Sequence, residues 1–472
     1  MATKKSNLIW FIVILALIIR LFFVFHSPLR IWDETVYANI GYDLIQSPLH
    51  YSLESASWSD FIPEGDYPYS WPNIGFRAPL LPYTLSIFYL LHLDFLILFF
   101  IPVMGAISVY LLYILTKRIF NEKIAIYSAL FFALVPLHVI NSGFILTGVY
   151  STFWILLGSI SFWKGYEEND KKQVFLCGIF LGLAVLARYT TLWVLPIFPV
   201  YLVLTRGKKI EYKKSLITLS GFILILIPWF IYGKYYYGSF LGAFIHGCLA
   251  STYWGGLQDS LFYFRYWYEM FSIIGITGLI GLIYSLRDIK HRGVILFGLF
   301  LIFFLFFSLL TSHKEQRFVL PLVIPLCIFS GILITKMENK KIVLSIIFLL
   351  VFSSLFFQGY SLFMKSYNGT NYCFKQSMGY FESLDEDFRI INDESSVIYY
   401  YIHNPVSFFP QSKTPESIQK ISDEKTYLLY TDANMPLYVP ENQEILNSWN
   451  ENFDKVFECD KDWGISIVYK IR

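Results

Sequence analysis

Two adjacent carboxylates follow the first apolar segment of the chain. Residues 7–25 are almost wholly apolar and long enough to cross a bilayer as a helix. Asp33 and Glu34 come soon after, where a carboxylate is costly unless it is solvated, paired or functional. Such a group can act as a general base toward an attacking hydroxyl. Asp33 is the first choice for this role and Glu34 the second; the other carboxylate could hold an acceptor or a cation.

Ionisable residues also stand at the end of another apolar segment, in SHKEQRFVLPLVIP at 312–325. It contains four ionisable residues within a short stretch: His313, Lys314, Glu315 and Arg317. Positive charge held there can stabilise the negative charge that develops on a departing phosphate. Pairing of Glu315 with its basic neighbours is the alternative, and it would give the cluster a purely structural role.

Two further arginines stand at apolar boundaries. Arg188, in ARYTTLWVLP, has almost no loop around it, and Arg77, in FRAPLLPY, ends a long polar stretch. An arginine so placed usually has an anionic partner, and a lipid phosphate is a suitable one. Three other basic residues could simply extend their charged ends toward water: Arg30, Lys234 and Arg265.

Membrane helices must position most of these residues. The chain has 472 residues, 56% hydrophobic and only 15% charged, whereas globular proteins carry about 25% charged residues. Apolar runs recur through residues 1–360, which we interpret as a polytopic membrane domain. Residues 361–472 carry a net charge of −7 and predict a small soluble α/β domain. Its predicted strands are 388–402, 425–434 and 464–471, and its predicted helices include 374–384 and 440–453.

The charges of the loops give the orientation. We predict about eleven transmembrane helices, at 7–25, 95–116, 123–140, 143–163, 173–187, 189–205, 215–233, 268–286, 293–311, 318–335 and 342–360. With the N-terminus in the cytoplasm, 19 of the 27 basic residues of the membrane domain fall in inner loops, as the positive-inside rule requires. Such short clusters also argue against a nucleic-acid partner, which would need a basic stripe.

Two long loops and the C-terminal domain then lie on the outer side. The first loop is 26–80, ending in a short surface helix at 78–92, and the second is 234–267. Aromatic residues of the second loop could form an interfacial belt or line a site for a prenyl chain or a sugar. The C-terminal domain could recognise an acceptor or merely cap the site. Its Cys373 and Cys459 could form a disulfide in an oxidising compartment.

Several motifs together resemble the GT-C superfamily of polyprenyl-phosphate-sugar-dependent glycosyltransferases. They are Asp33-Glu34 after the first helix, Arg77-x-Pro79-Leu80-x-Pro82, Ala187-Arg188-Tyr189, Pro228-Trp229, and His313-Lys314-Glu315-x-Arg317-Phe318. The superfamily includes protein O-mannosyltransferases and the aminoarabinose transferase of lipid A. The last motif looks like the H-K-E-x-R-F signature of dolichol-dependent mannosyltransferases. The resemblance covers most of residues 1–335.

The resemblance implies an inverting displacement at the anomeric carbon of a sugar carried on polyprenyl or dolichyl phosphate. Asp33 or Glu34 would activate the acceptor hydroxyl, and no general acid is required. The donor phosphate would be held by four cations, Arg77, Arg188, Lys314 and Arg317, with His313 and Glu315 in support. The sugar is mannose or another hexose, and mannose is favoured by the segment 313–318.

The same resemblance implies where the reaction takes place and on what. The acceptor would be a protein, a glycan or a lipid, presented on the extracytoplasmic face. The membrane is the plasma membrane in a prokaryotic cell and the endoplasmic reticulum in a eukaryotic one.

One position departs from the superfamily pattern. Many members carry a second aspartate at the outer end of helix 4, in a context like L-T-D-x-P, and Gly148 stands there in this chain. The departure argues against a metal site of the aminoarabinose-transferase type, although His138 and Asn141 could compensate. We therefore assign no metal or other cofactor.

A transporter or flippase for a lipid-linked or anionic substrate is the main alternative. Transporters place ionisable groups near the middle of the membrane, in broken helices, and often show repeat symmetry. Here the ionisable groups cluster at one surface, and the sequence shows no convincing repeat. A non-catalytic scaffold gives no reason for an acidic pair and a cationic cluster to share one face.

Overall fold

The chain forms two compact units. A computed structural model describes residues 2–25, 32–53, 77–207, 211–255, 259–337, 370–410, 412–422, 425–432, 435, 439–461 and 464–471, with separate positions between 341 and 359. The first unit comprises Met1–Phe25, Gly75–Leu81 and Asp94–Gly359, and the second comprises His26–Ile74, Pro82–Leu93 and Tyr360–Arg472. The second unit therefore combines chain from the first predicted outer loop with the predicted C-terminal domain.

Helices make up most of the described chain. In chain order they are α1 (Ala2–Phe25), α2 (Trp32–Gln46), α3 (Leu80–Leu90), α4 (Ile97–Ile119), α5 (Glu122–Leu134), α6 (Pro136–Asn141), α7 (Thr147–Phe162), α8 (Lys171–Ala187), α9 (Ile197–Arg206), α10 (Tyr212–Tyr237), α11 (Gly242–Gly255), α12 (Phe262–Arg265), α13 (Trp267–Ser285), α14 (Arg292–Leu310), α15 (Val323–Lys336), α16 (Thr370–Glu382), α17 (Ser395–Ile402), α18 (Pro415–Lys420) and α19 (Pro440–Asn452). Short 3-10 segments at Tyr189–Val194 and Gln316–Leu322 precede α9 and α15.

Seven helical segments of the described chain are long and apolar enough to cross a membrane: Asn7–Phe25, Asp94–Ile119, Tyr189–Arg206, Tyr212–Tyr237, Trp267–Asp288, Arg292–Leu310 and Gln316–Lys336. Each matches a predicted span. Of the other four, 123–140 is divided into α5 and α6, and 143–163 and 173–187 correspond to the shorter helices α7 and α8. The last, 342–360, lies largely outside the described residues, so the count of about eleven stays a prediction.

A buried arginine stabilises the break between α5 and α6. Pro136 cannot continue α5, so the last carbonyl groups of that helix lack their usual helical donors. Arg20 of α1, which is fully buried, donates to the carbonyl oxygens of Ala133 at 3.2 Å and Phe132 at 3.4 Å. Its Nη2 also lies 2.8 Å from Nδ1 of His138 in α6. The guanidinium thus supplies the donors that the broken helix needs.

Small residues allow α8 and α10 to cross closely. A Cβ atom at Gly178 would overlap the carbonyl oxygen of Thr218, and one at Gly221 would lie 2.5 Å from the carbonyl oxygen of Phe175. Helices in membranes commonly use small residues for such backbone approach. The crossing matters for the site because α8 leads directly into Arg188 and α10 carries Trp229 near its end.

The second unit contains a five-stranded sheet of order β2-β1-β3-β5-β4. The strands are β1 (Arg389–Ile391), β2 (Val406–Ser407), β3 (Thr426–Thr431), β4 (Asp454–Lys461) and β5 (Gly464–Lys470). β1 is parallel to β2 and β3, whereas β5 is antiparallel to β3 and β4. All six residues of β3 are buried, as expected of a central strand. Trp449 of α19 is fully buried in the core beside this sheet.

The predicted α/β class of the C-terminal region is confirmed, with differences in its elements. The stretches 425–434 and 464–471 contain β3 and β5, and the predicted helices correspond to α16 and α19. The prediction of strand for 388–402 is wrong beyond Ile391, because Ser395–Ile402 forms α17. Its aromatic and β-branched residues favour strands locally, but packing of the segment against α2 overrides that preference. β2 and β4 had not been predicted.

The two cysteines of the second unit form a disulfide. Cys373 of α16 and Cys459 of β4 are bonded, with their Cα atoms 5.3 Å apart and 86 positions between them in the sequence. A cross-link over so long a loop restricts the unfolded chain.

We expect Cys373→Ser/Cys459→Ser to lower the free energy of unfolding of this unit by about 2–5 kcal/mol. Thermal melting, monitored by limited proteolysis, measures the effect. Cys177→Ala in α8, which leaves the disulfide intact, is the control. An unchanged melting temperature in the double variant would contradict the expected destabilisation.

Candidate active site

The predicted site residues divide between the two units. Asp33 and Glu34 belong to the second unit, whereas Arg77, Arg188 and the segment 313–317 belong to the first. Within the first unit, the structure brings Arg188, Arg317 and His313 together around the ring of Phe318. Within the second, it joins the helix of the acidic pair to the C-terminal region.

The acidic pair lies in the first turn of α2. Negative charge is favourable there because the exposed amide groups of a helix N-terminus carry partial positive charge. The side chain of Glu34 is fully buried, whereas Asp33 is half-buried. A general base must reach the proton that it removes. The difference in exposure therefore favours Asp33 over Glu34 for that role.

Arg188 is held by two hydroxyl groups and a ring. It follows α8 in extended conformation, and its Nε donates to Oγ1 of Thr190 at 3.1 Å. Its Nη1 donates to Oγ1 of Thr147, at the start of α7, at 3.2 Å. The guanidinium carbon lies 4.8 Å from the centre of the Phe318 ring. Because guanidinium donors form a rigid planar fork, these contacts fix the direction of the remaining donors.

Phe318 also lies against Arg317 and His313. The guanidinium carbon of Arg317 is 6.0 Å from the ring centre, and the His313 ring meets it edge-on at 5.3 Å. An aromatic face attracts cations weakly, by about 0.5–1 kcal/mol at exposed sites. The ring thus lies near two arginines that stand more than 120 positions apart in the sequence.

The segment 311–317 contains internal ion pairs. Glu315 binds Nε2 of His313 at 2.8 Å and also pairs with Arg317. Lys314 is buried, and its Nζ donates at 2.5 Å to the carbonyl oxygen of Thr311, the residue that follows the C-terminus of α14. A cation is favourable at the C-terminus of a helix. The structural pairing that the sequence left open is therefore present for Arg317 and His313, while Lys314 contacts a helix end.

A tyrosine from the second long loop lies near Arg188 and Glu315. Tyr263 of α12 is fully buried. Burial raises the pKa of its hydroxyl, and the positive charge of Arg188 acts in the opposite direction. The hydroxyl therefore stays protonated at neutral pH and can act as a neutral donor.

Tyr189 connects the start of the 3-10 segment to two other elements. Nε1 of Trp229 in α10 donates to the Tyr189 hydroxyl at 2.7 Å. That hydroxyl donates in turn to the carbonyl oxygen of Arg77 at 3.3 Å. The Trp229 ring stacks on Tyr232 with 4.3 Å between ring centres. The backbone of Arg77 is thereby linked to the residue that follows Arg188.

Gly148 lies beside Arg188. A Cβ atom at this position would lie 3.8 Å from Nη1 of Arg188 and 3.3 Å from Cδ1 of Leu320. An aspartate would therefore bring its carboxylate to the guanidinium. In this chain, glycine places no carboxylate on that side of Arg188.

His138 and Asn141 each have a hydrogen-bond partner within the first unit. Nδ1 of His138 contacts Arg20 at 2.8 Å, and Nδ2 of Asn141 donates to the Leu137 carbonyl oxygen at 2.7 Å. Across the described part of the chain, no three His, Cys, Asp or Glu residues lie close enough together to hold a metal. Compensation for the missing aspartate by His138 and Asn141 stays a prediction.

Three contact residues had not been singled out from the sequence. Thr190 and Thr147 had a weak signal, since they stand within two positions of Arg188 and directly before Gly148. Tyr263 had none that distinguishes it from the other aromatic residues of its loop. Hydroxyl and ring partners of this kind are common everywhere in membrane helices, so type and spacing alone do not identify them.

Gly148→Asp is expected to weaken the interaction of Arg188 with an anionic ligand. The new carboxylate would pair with the guanidinium, and replacing one charged hydrogen bond should raise the KM for a lipid-phosphate donor about tenfold. Steady-state kinetics in membranes measures it, and Gly148→Ala, which adds only the Cβ, is the control. Higher activity of Gly148→Asp on addition of Mg²⁺ or Mn²⁺ would instead mean that the carboxylate completes a metal site.

Known proteins are similar to this chain in sequence. A sequence model of the family described as dolichyl-phosphate-mannose-protein mannosyltransferase matches residues 76–232. An undecaprenyl phosphate-alpha-4-amino-4-deoxy-L-arabinose arabinosyl transferase from Wigglesworthia glossinidia brevipalpis is 26% identical over 368 residues. That match covers 73% of this chain and 62% of the relative, so it spans less than two thirds of the relative's length.

Solved structures share the fold. ArnT from Cupriavidus metallidurans bound to undecaprenyl phosphate has a TM-score of 0.71 at 12% identity, covering 98% of each chain. The archaeal oligosaccharyltransferase AglB from Archaeoglobus fulgidus, in complex with an inhibitory peptide and a dolichol-phosphate, has a TM-score of 0.61 at 13% identity. That similarity covers 98% of this chain and 74% of AglB. The predicted fold class, a polytopic helical membrane protein with a small C-terminal α/β domain, is confirmed.

Proposed function

We propose, from its similarity in fold and in sequence to glycosyltransferases of the GT-C superfamily, that the chain is an integral-membrane glycosyltransferase. It takes a sugar from a polyprenyl-phosphate donor and transfers it to a hydroxyl acceptor, which is a protein, a glycan or a lipid. The similarities do not favour the transporter alternative. The loop charges support an arrangement in which the N-terminus is cytoplasmic and the reaction takes place on the opposite face.

The geometry of Arg188 is the observation that carries this proposal. Thr147, Thr190 and Phe318 fix its guanidinium from three elements. Gly148 is its neighbour: a Cβ atom there would lie 3.8 Å from Nη1. A preorganised guanidinium of this kind suits a phosphate that gains negative charge as the sugar departs. Arg188 is therefore the principal ligand of the donor phosphate, and Arg317 assists it with a charge that Glu315 partly balances.

The two remaining predicted phosphate ligands have weaker support. Lys314 donates to the carbonyl end of α14, and the backbone of Arg77 accepts from Tyr189. Both residues stay in the proposal as positive charge near the donor rather than as direct ligands. His313 and Glu315 serve as support, because their contact orients Arg317 and the Phe318 ring.

Asp33 is the proposed general base. It removes the proton of the acceptor hydroxyl as the oxygen attacks the anomeric carbon, and the bond from that carbon to the phosphate oxygen breaks. Attack from the face opposite the phosphate inverts the anomeric configuration. The phosphate leaves as a stabilised anion, so it needs cations and no general acid.

The sugar is proposed to be mannose or another hexose. The match to the mannosyltransferase family and the segment 313–318 support mannose, whereas the name of the sequence relative points to aminoarabinose. Membranes that contain the chain should be offered radiolabelled mannose, glucose and aminoarabinose donors in parallel, with membranes lacking the chain as the control. Transfer from one hexose donor is expected. Transfer from aminoarabinose alone would replace the proposed sugar, and transfer from none, with folded protein present, would contradict the proposed activity.

A further inference from the structure

One helix of the C-terminal domain lies against the helix of the acidic pair. Within the second unit, Oγ of Ser396 in α17 is 3.1 Å from Oγ1 of Thr35 in α2. Nδ2 of Asn39 donates to the carbonyl oxygen of Ser396 at 2.7 Å and lies 3.1 Å from its Oγ. Ser396 thus contacts α2 with its backbone and with its side chain.

The contact continues along the whole of α2. Thr35, Asn39 and Asp43 are spaced by four residues and therefore lie on one face of the helix. Asp43 accepts a hydrogen bond from the hydroxyl of Tyr399 at 2.9 Å. Ser396 and Tyr399 are likewise three positions apart on one face of α17. The two helices are therefore matched by hydrogen bonds at several turns rather than by one chance contact.

Aromatic pairs reinforce both ends of the contact. Near the start of α2, the Trp32 ring lies 5.9 Å from that of Phe408. Near its end, Tyr42 stacks on His403, with ring centres 4.1 Å apart and planes within 10°. His403 has a φ of 53°, which is unfavourable for a residue other than glycine. The stack therefore helps to hold the end of α17 in an otherwise unfavourable conformation.

Burial makes the polar contacts specific. Thr35, Asn39 and Ser396 are all fully buried. A buried polar group without a partner costs about 1–3 kcal/mol, so a shift of α2 along or around its axis would leave several groups unsatisfied. The pairing therefore selects one position of α2, and with it one position of Asp33 in the same first turn.

We infer that the C-terminal domain is a positioning element for the acidic helix, and that Ser396 is its principal positioning residue. Ser396 touches no substrate in this scheme; it acts through α2 on Asp33. The inference rests on the proposed function, because it assigns a role in that reaction to a residue more than 350 positions away from Asp33 in the sequence. A role of the domain in acceptor recognition alone, or as a mere cap, is the rival interpretation.

The test separates the contact from the reaction. Hydrogen exchange of the α2 backbone is compared in the wild type, Ser396→Ala and Ser396→Thr, using the full chain in detergent. Ser383→Ala is the matched control, because Ser383 is an exposed serine of the same domain that bonds only within its own segment. Exchange in α2 should rise several-fold in Ser396→Ala alone and return toward wild type when threonine restores the hydroxyl. Unchanged exchange in Ser396→Ala would overturn the inference without reference to activity.

Kinetics then tests the consequence. A displacement of the order of 1 Å can lower a rate by up to about 100-fold, so we expect kcat of Ser396→Ala to fall about tenfold with donor KM unchanged. Ser396→Thr should recover most of the rate. Tyr399→Phe removes one peripheral hydroxyl and should lower kcat about threefold, which keeps the test valid if Ser396→Ala reduces the amount of folded protein.

The kinetic outcomes distinguish failure of the positioning role from failure of the proposed reaction. A wild-type rate in both Ser396→Ala and Tyr399→Phe would overturn the inference while leaving the proposed function intact. A change confined to the KM for the acceptor would favour acceptor recognition and overturn it as well. Absence of transfer in the wild type would overturn the proposed reaction and the positioning role in it, while hydrogen exchange would still report on the contact.

Discussion

Asp33→Asn is expected to lower sugar transfer by about 10²- to 10⁴-fold, the usual contribution of a general base. Asparagine keeps the size of the side chain but cannot accept the acceptor proton. Because the cations of the first unit are the proposed ligands of the phosphate, donor binding should stay within about twofold of wild type. Transfer rates from radiolabelled donor, together with equilibrium binding of the polyprenyl-phosphate sugar, measure both quantities.

Two variants complete this experiment. Glu34→Gln should cost much less than Asp33→Asn, since the Glu34 side chain is buried and less able to reach a substrate. Asp94→Asn changes an exposed aspartate at the start of a predicted span and should leave transfer unchanged. Normal turnover in Asp33→Asn with loss in Glu34→Gln would move the base role to Glu34 and contradict the assignment.

Arg188→Leu is expected to lower transfer by about 100-fold or more, the effect of removing one preorganised donor from a developing anion. The loss should appear both in donor affinity and in kcat, because the phosphate is anionic before and after the bond breaks. Binding and turnover with the same labelled donor separate the two contributions.

The hydrogen-bonding geometry of the guanidinium group can be tested at the same position. Arg188→Lys keeps the positive charge but cannot reproduce the paired contacts to Thr147 and Thr190, so it should recover only part of the rate. Arg265→Leu removes a highly exposed arginine that pairs with Asp259 and is the control for charge alone. If Arg188→Leu and Arg265→Leu had equal and small effects, Arg188 would be no more than a surface charge.

The sequence predicted several residues of the candidate site because ionisable side chains are energetically unfavourable beside apolar segments. Arg188 and the segment 313–317 interrupt apolar stretches, and an ionisable group at such a boundary is conspicuous in a chain with few charges. The apolar runs likewise predicted the seven long helices. These features depend on local composition, which a single sequence displays directly.

What the sequence did not predict depends on contacts between distant segments. The approach of Arg188 to the ring of Phe318 and the contact of Ser396 with Thr35 have no local pattern. The error in 395–402 has the same origin: its tyrosines favour a strand, but Ser396 and Tyr399, three positions apart, contact residues of α2 more than 350 positions away. Local preference is weak compared with burial of this kind.

Transfer of the sugar from a polyprenyl-phosphate donor to an acceptor can be followed with a radiolabel. Purified chain in lipid bilayers would be incubated with radiolabelled polyprenyl-phosphate mannose and a membrane extract as the source of acceptor, with Asp33→Asn in parallel. We expect wild type to transfer label to an acceptor and to release unlabelled polyprenyl phosphate, whereas Asp33→Asn should bind the donor and leave the label on the lipid. Label that stays on the lipid with folded wild type, for mannose and for other hexose donors alike, would contradict the proposed activity.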